Sequence, residues 1–293
     1  MDVIILKARA KINLALEVVG KREDGYHDLR MLMQTLYLHD TLTIKKTEKY
    51  PFKLATDSKR LPTDDRNLAW QAAMHMINKF GIKDGVFMHI QKVIPLAAGL
   101  AGGSTDCAAV IVGFNRMFSL GLSVEEMMAI GKLFGADVPY CLLGGLCKAE
   151  GIGDRLTRLP GFKSVSVVLA KPPISVSTAQ VYKDYVPDLS RPMPDIDQMI
   201  AELASGEIEK AAKRFMNDLE PANIIKHPEI GAIKRLLAEA GACGAMMSGS
   251  GPSVFGFFSK QKNAWLAMKS LKKAMPRAEI YLTGTCGEKD VWQ

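Results

Sequence analysis

The stretch Pro95-Leu96-Ala97-Ala98-Gly99-Leu100-Ala101-Gly102-Gly103-Ser104-Thr105-Asp106 joins a segment of strand character, Val86 to Ile94, to a run of small residues with helical spacing, Cys107 to Phe118. Its three glycines let the backbone turn tightly and leave no Cβ between the amides and a bound group. Ser104, Thr105 or Asp106 is expected to cap the helix that follows, whose unpaired N–H groups and dipole favour an anion. Chemically this is a cradle for phosphate. It lacks the Gly-Lys-Ser/Thr ending of a Walker A loop and the spacing of Gly-x-Gly-x-x-Gly. A strand, glycine turn and helix that served close packing alone would look the same at this level.

Other residues with chemical potential are scattered along the chain. Lys11 and Asn13 project to the same side of a segment, Val3 to Val19, whose Ala8, Ala10, Ile12, Leu14 and Leu16 are expected to line one apolar face. On pattern alone, Lys11 and Asn13 read as solvent-facing. Tyr26 and His27 follow a polar turn at Gly20 to Gly25; Tyr26 offers a flat apolar face with a polar tip, and His27 reads equally as an ordinary surface histidine. Asp137 stands in Gly135-Ala136-Asp137-Val138-Pro139-Tyr140, a helix start whose dipole would stabilise its carboxylate. Capping explains Asp137 as well. A second glycine-rich loop, Ser248-Gly249-Ser250-Gly251-Pro252-Ser253, precedes a strand at Val254 to Phe258.

The elements that must position these residues alternate in type. Strand character continues through Leu29 to Ile44 and, weakly, Phe52 to Ala55; Asn67 to Phe80 has helical spacing, with Asp64 and Asp65 as cap candidates. Ser123-Val124-Glu125-Glu126 resembles a capping box, and Gly144 to Arg158 reads as a strand pair turning at Gly151 to Gly153. A break at Leu159-Pro160-Gly161 suggests a boundary between a first domain, 1–159, and a second, 160–293. The second half reads as a strand (Ser164 to Ala170), a short helix (Ser177 to Tyr185) and a proline-rich connection (Pro187, Pro192, Pro194). Helices at Asp195 to Leu203, Ile208 to Phe215 and Glu229 to Ala240 follow, with a break at Asn217 to Pro221. The chain ends on a strand, a helix (Lys260 to Met275) and a last strand (Ala278 to Thr283). This order suggests an α+β protein with helices on one sheet face.

At 293 residues, 48% of them hydrophobic and 24% charged, the chain can bury a sizeable core in about two domains. The formal net charge of +7 is compatible with nucleic acid, an anionic surface or polyphosphorylated small molecules. Lysine and arginine are spread out, however, and pairs such as Lys45-Lys46 and Lys272-Lys273 stay isolated in the sequence. A solvated basic surface with a local excess for a nucleoside triphosphate is the expectation, without a nucleic-acid or membrane partner. Five scattered cysteines (Cys107, Cys141, Cys147, Cys243, Cys286) form no Cys-x-x-Cys pair, which argues for a reducing compartment. No apolar run near Met1 has the length of a secretory signal and none elsewhere that of a membrane span, so a cytoplasmic location is expected.

Taken together, the Lys11/Asn13 segment, the Pro95–Asp106 loop with Asp137, and the Ser248–Ser253 loop resemble the GHMP kinases, the group of galactokinase, homoserine kinase, mevalonate kinase and phosphomevalonate kinase. The match to their Pro-x-x-x-Gly-Leu-x-x-Gly-Ser/Ala signature runs from Pro95 to Ser104. Ala8-Arg9-Ala10-Lys11-Ile12-Asn13-Leu14, Asp24-Gly25-Tyr26-His27-Asp28-Leu29 and Gly135 to Tyr140 are similar to members of the family that act on 4-diphosphocytidyl-2-C-methyl-D-erythritol. The resemblance covers essentially the whole chain, with the motifs in the family's order.

The resemblance implies a two-domain α+β fold, with a first domain like domain 2 of ribosomal protein S5, a ferredoxin-like second domain and an active site in the cleft between them. It implies ATP-dependent phosphorylation of the substrate's 2-hydroxyl in non-mevalonate isoprenoid synthesis, with Mg²⁺. The amides from Pro95 to Thr105 would hold the ATP phosphates, with Ser104 on the Mg²⁺ side; further metal ligands are left open. Ser248, Gly249, Ser250 and Gly251 would complete the cleft. Asp137 would take or polarise the hydroxyl proton, and Lys11 would keep Asp137 ionised. Tyr26, His27 and Tyr182 would hold the cytosine, Asn13 the erythritol hydroxyls, and Asn67 either the adenine side or only a helix cap. Ala101, where some relatives carry glycine, should restrict φ locally. Two other readings stay open: a GHMP kinase for another alcohol, such as homoserine or mevalonate, and a nucleic-acid-binding protein with an S5-like domain.

Overall fold

The first two strands carry the architecture. In the computed structural model, which describes residues 2–187 and 195–292, β1 (Val3–Lys21) and β2 (His27–Thr47) pair antiparallel over most of their length. Pro192 and Pro194 of the expected proline-rich connection lie outside the described residues. The hairpin turns where Gly25 takes φ 85° and the Asp24 carboxylate accepts the Tyr26 N–H at 3.1 Å. Two shifts of register, between Arg9 and Lys11, where β2 carries the extra residues, and between Asn13 and Ala15, where β1 carries one, change the face a side chain takes. Leu6 and Ala8 therefore pack in one core, Ala10, Ile12 and Leu14 in another, and Leu16 returns to the first. The single apolar face expected from Ala8 to Leu16 is split between two cores. Lys11 and Asn13, expected in solvent, are 5% and 0% exposed.

Around this hairpin β3 (Phe52–Thr56), β4 (Gly85–Gln91), β5 (Leu146–Gly151), β6 (Arg155–Arg158) and β8 (Met216–Asn217) complete a first sheet. Its main path runs β3-β4-β2-β1-β8, and β5 also pairs with β2. Helices α1 (Leu68–Phe80), α2 (Gly102–Met117), α3 (Val124–Gly131) and α4 (Asp137–Leu143) contribute Ala72, Met76, Val110, Phe114, Ile130 and Val138 to the core beside it. The capping box expected at Ser123 and Glu126 is formed. The cap of α1 is Asn67 itself: its side chain accepts the Ala69 N–H at 2.9 Å and donates to the Pro62 carbonyl at 2.7 Å.

The second sheet holds β7 (Ser166–Lys171), β9 (Gly244–Met247), β10 (Val254–Phe258) and β11 (Glu279–Gly284), antiparallel in the order β11-β7-β10-β9. The last strand lies beside the first and the third between first and second, which is the ferredoxin-like order. Alternation along β7 sends Val168 and Ala170 to one core and Val167 and Leu169 to the other, where they meet Ile12 and Leu14 of β1. Helices α5 (Thr178–Lys183), α6 (Ile196–Ala204), α7 (Ile208–Lys213), α8 (Glu220–Lys226), α9 (Pro228–Glu239) and α10 (Gln261–Ala274) complete this half.

Two elements depart from the sequence expectation. Asn217 to Pro221, expected as a break, opens with β8, which pairs parallel to β1 at Ala15 and Leu16, and continues into α8. Pro221 sits in the first turn of α8, where its missing N–H breaks no helical bond. The other is β9, four residues of glycine, alanine and methionine that gain strand structure only by pairing with β10.

A buried charge cluster joins β2, the end of β4 and α2. The Lys92 ammonium bonds Asp40 and, at 2.8 Å, Asp106, while Asp40 also accepts the Ile94 N–H at 2.8 Å. Burial raises the Asp106 carboxyl to about 8 from 3.8, with Lys92 opposing that rise and Asp40 adding to it. Burial would lower Lys92, but the two carboxylates hold it above its ordinary value. Between these limits the folded chain keeps a proton on Asp106 that the unfolded chain releases, so rising pH favours unfolding. Stability measured by urea titration should be greatest below about pH 4 as far as this group is concerned, and its contribution should be lost toward about pH 8. Asp106→Asn should flatten that slope; an unchanged slope would mean that another group carries it.

Candidate active site

The glycine loop is built from backbone strain and close approach. Ala97, Gly99 and Ala101 all take positive φ, at 50°, 73° and 57°. A Cβ on Gly99 would stand 2.2 Å from the Ser248 carbonyl oxygen, so the two glycine loops touch backbone to backbone. Ser248 Oγ also donates to the Gly99 carbonyl at 3.0 Å. Ala101 is the N-cap of α2 and offers no side-chain hydrogen bond, so the expected caps Ser104, Thr105 and Asp106 are corrected: all three lie inside the helix. The helix starts at Gly102 because Thr105 N–H already reaches the Ala101 carbonyl at 2.8 Å. Without a side-chain cap or an acidic residue in its first turn, α2 leaves its leading N–H groups for an external acceptor. Leu96, Ala97, Gly99, Ala101, Gly102, Gly103 and Ser104 keep some accessibility; Pro95, Ala98, Leu100 and Thr105 are buried.

Beside this loop the bulged segment of β1 presents Lys11. Its N–H donates to the Leu100 carbonyl at 3.1 Å, and its ammonium donates to Asn13 Oδ1 at 2.9 Å. Asp137, in the first turn of α4 and 39% exposed, stands 3.8 Å from the same ammonium. Asn13 is enclosed, with its Nδ2 directed at the Met31 sulfur at 3.3 Å, so its amide holds Lys11 from behind. Burial, then the nearby Asp137, pushes the Cys141 thiol well above its ordinary value, which keeps it inert.

The late loop is a floor. Ser248, Gly249, Ser250 and Gly251 are buried, and a Cβ on Gly249 would lie 3.3 Å from both Asn13 Oδ1 and the Gly99 carbonyl, and 3.6 Å from Lys11 Nζ. Asn217 fastens it, donating to the Met247 and Gly249 carbonyls at 2.9 and 2.8 Å while accepting the Leu219 N–H at 3.0 Å. Glu220 accepts the Met247 N–H at 2.9 Å and pairs with Lys234. The sequence reading missed both residues; the polar run Asn217-Asp218-Leu219-Glu220 beside apolar helices was the available signal. Thr178, at the start of α5, shares a 2.8 Å hydrogen bond with Ser250 Oγ.

Aromatic side chains close one side. His27 stacks on Tyr182 with ring centres 5.5 Å apart and planes 28° from parallel, and Tyr185 meets His27 edge-on at 6.3 Å. Burial, then Asp137, pushes the Tyr182 phenol above its ordinary value. Tyr26 is not part of the stack and is 63% exposed. Two further clefts, of about 670 and 550 Å³, share Ser164, Val165, Ser166 and Gln261 and include none of these residues.

Residues 67–145 match the GHMP kinases N terminal domain family and residues 194–277 the GHMP kinases C terminal family. The first range contains the glycine loop and Asp137, the second the late loop. The chain is 46% identical over 285 residues to the 4-diphosphocytidyl-2-C-methyl-D-erythritol kinase of Acetivibrio thermocellus, covering 97% of this chain and all of that one. It belongs to the 4-diphosphocytidyl-2-C-methyl-D-erythritol kinase family. The relative from Caldicellulosiruptor bescii is 44% identical over 281 residues, 96% of this chain and 98% of its own. A crystal structure of 4-(cytidine 5'-diphospho)-2C-methyl-D-erythritol kinase superimposes with a TM-score of 0.83 at 31% identity, covering 97% of this chain and all of that one. Homoserine kinase from Cytophaga hutchinsonii, at TM-score 0.78 and 19% identity over all of this chain and 97% of that one, shares the fold.

The contact at Gly99 gives a direct test. Gly99→Ala should cost roughly 1–3 kcal/mol of stability through backbone strain and weaken nucleotide binding, read by urea titration and calorimetry. An unchanged urea midpoint and affinity would mean that the loops do not meet as closely in solution.

Proposed function

We propose that the protein transfers the γ-phosphoryl group of ATP to the 2-hydroxyl of 4-diphosphocytidyl-2-C-methyl-D-erythritol, giving the 2-phosphate and ADP in non-mevalonate isoprenoid synthesis. The observation that carries this reading is the 3.8 Å Lys11–Asp137 pair beside an uncapped helix N-terminus, in a chain of this family. Phosphoryl transfer demands positioning and charge compensation more than covalent chemistry. The open amides at the head of α2 would bind the ATP phosphates, with the late loop supporting the first loop from below.

Asp137 would accept the proton of the 2-hydroxyl as that oxygen attacks phosphorus. Lys11, held by Asn13, would place positive charge beside the attacking oxygen and the transferring group. His27 and Tyr182 would take the cytosine, with Tyr26 closing over it from its exposed position. Mg²⁺ fits the donor chemistry: the Ser104 hydroxyl and the nucleotide's phosphate oxygens are hard ligands of the kind this ion prefers. When bound it would offset charge on the phosphates.

ADP release by the purified protein, with this substrate, homoserine and mevalonate compared, tests the reaction. Turnover on the cytidyl substrate alone is expected; turnover confined to another alcohol would discard the cytosine pocket. Asp137→Asn should lower kcat by about 10²–10⁴-fold with little change in nucleotide affinity. Near-normal turnover would remove Asp137 from the mechanism. Tyr182→Ala should raise the KM of the cytidyl substrate by an amount equivalent to about 1–3 kcal/mol, the usual range for base stacking, while leaving the KM of ATP alone. Equal effects on both would point to a general disturbance of the cleft.

A further inference from the structure

The net charge of +7 is not spread over the molecule. Between Glu239 and Glu279 the sequence contains no acidic residue and six basic ones, Lys260, Lys262, Lys269, Lys272, Lys273 and Arg277. Most of these lie on or beside α10, whose buried residues Ala264, Ala267 and Leu271 face the protein. Helical spacing carries Lys262, Trp265, Leu266, Lys269, Lys272 and Lys273 to the opposite, solvent side. All six side chains are exposed, including Trp265 at 43% and Leu266 at 49%. The lysines look scattered in sequence because seven positions, two helical turns, separate Lys262 from Lys269, and three and four separate Lys269 from Lys272 and Lys273.

Helix stability does not account for this arrangement. The dipole favours Lys272 and Lys273 in the last turn but disfavours Lys262 in the first, where no acidic residue balances it. Lys269 lies three and four positions from Lys272 and Lys273, a spacing at which like charges repel. Among the described residues none of these lysines forms an ion pair with a carboxylate. A face that repels itself, with two large apolar side chains exposed among its cations, is complementary to an anionic surface outside the molecule.

We infer that the outer face of α10 is a docking surface for anionic lipid headgroups. An exposed tryptophan and leucine beside lysines suit the headgroup boundary, where indole rings settle and lysine stems let their charges reach outward. The four cations are all lysine, compact charges that act on a diffuse anionic plane, rather than the planar fork of arginine suited to paired phosphate contacts. Lys269 Nζ lies 3.7 Å from the centre of the Trp265 ring, covering a face that a nucleic-acid base would need for stacking. The surface therefore favours a lipid interface over a single-stranded nucleic acid. It does not depend on the proposed phosphoryl transfer, because α10 carries none of the residues of the cleft.

Flotation of the full chain with vesicles of equimolar phosphatidylglycerol and phosphatidylcholine tests the inference, with phosphatidylcholine vesicles as the neutral comparison. Binding is expected to the anionic vesicles only, to weaken with added salt, and to fall by at least about tenfold in the combined variant Lys262→Gln, Lys269→Gln, Lys272→Gln and Lys273→Gln. The melting temperature should not fall, since the substitutions relieve repulsion, and the turnover in vesicle-free solution should be unchanged. A vesicle-induced blue shift in tryptophan emission should disappear in Trp265→Phe, an independent readout that leaves the lysines intact. No binding to anionic vesicles at low salt, or equal binding by the four-lysine variant, would overturn the inference. Lysine-dependent binding of a single-stranded oligonucleotide without vesicle binding would overturn it in favour of nucleic acid.

Discussion

The site depends on one contact that leaves no room for a side chain. Gly99 meets the Ser248 carbonyl so closely that a Cβ would lie 2.2 Å from it, and the two glycine loops come from opposite halves of the molecule. Each half alone would present a loop with open backbone groups; together the loops satisfy one another through Ser248 and Gly99. Gly249 then passes beneath Lys11 and Asn13. Glycine is required here by distance, and at Gly99 and Gly249 also by the left-handed φ of 73° and 57°.

Holding that contact is the work of side chains remote from the accessible loop. β8 contributes only two residues to the first sheet, yet it anchors the second half against β1 at Ala15 and Leu16. Asp218 extends the seam by accepting the Val18 N–H at 2.8 Å, while its neighbours Asn217 and Glu220 reach into the late loop. The chain's end adds a second seam: Gln34 donates to the Cys286 carbonyl at 2.8 Å, and Cys286 N–H donates to Thr35 at 2.8 Å. The Asn217, Glu220 and Gln34 hydrogen bonds are buried, where losing one partner strands the other, so they resist small displacements. The geometry at Lys11 thus rests on two crossings of the chain between its halves.

Much of this was legible in the sequence where a local rule was enough. The glycine loop, the capping box at Ser123, the helix start at Asp137 and most strands follow from backbone freedom, capping and periodicity. The burial of Lys11 and Asn13 was not, because alternation fixes a face only while the register is regular. Two irregularities in its pairing with β2 shift it, and nothing in the residue types from Arg9 to Ala15 marks them. Asn217 to Pro221 misled for a related reason. Proline is read as a breaker, but at the first turn of α8 it is compatible with a helix, and a two-residue strand is too short for any period. The aromatic pair was legible as residues, but folding puts His27, rather than Tyr26, against Tyr182.

Charge shows the same limit and also what lies beyond it. A net charge counts side chains without saying where they stand, and α10 converts a dispersed set of lysines into one face. Inside the molecule the opposite logic applies: Lys92 is enclosed by Asp40 and Asp106, and Lys11 by Asn13 and Asp137, so each buried cation has partners that offset its desolvation. The lysines of α10 have water instead, which is tolerable for each separately. What they lack is the interspersed negative charge that ordinary surfaces use to limit repulsion. The same residue type is therefore held inside the fold when folding supplies its partners, and stands as a cationic surface when folding withholds them.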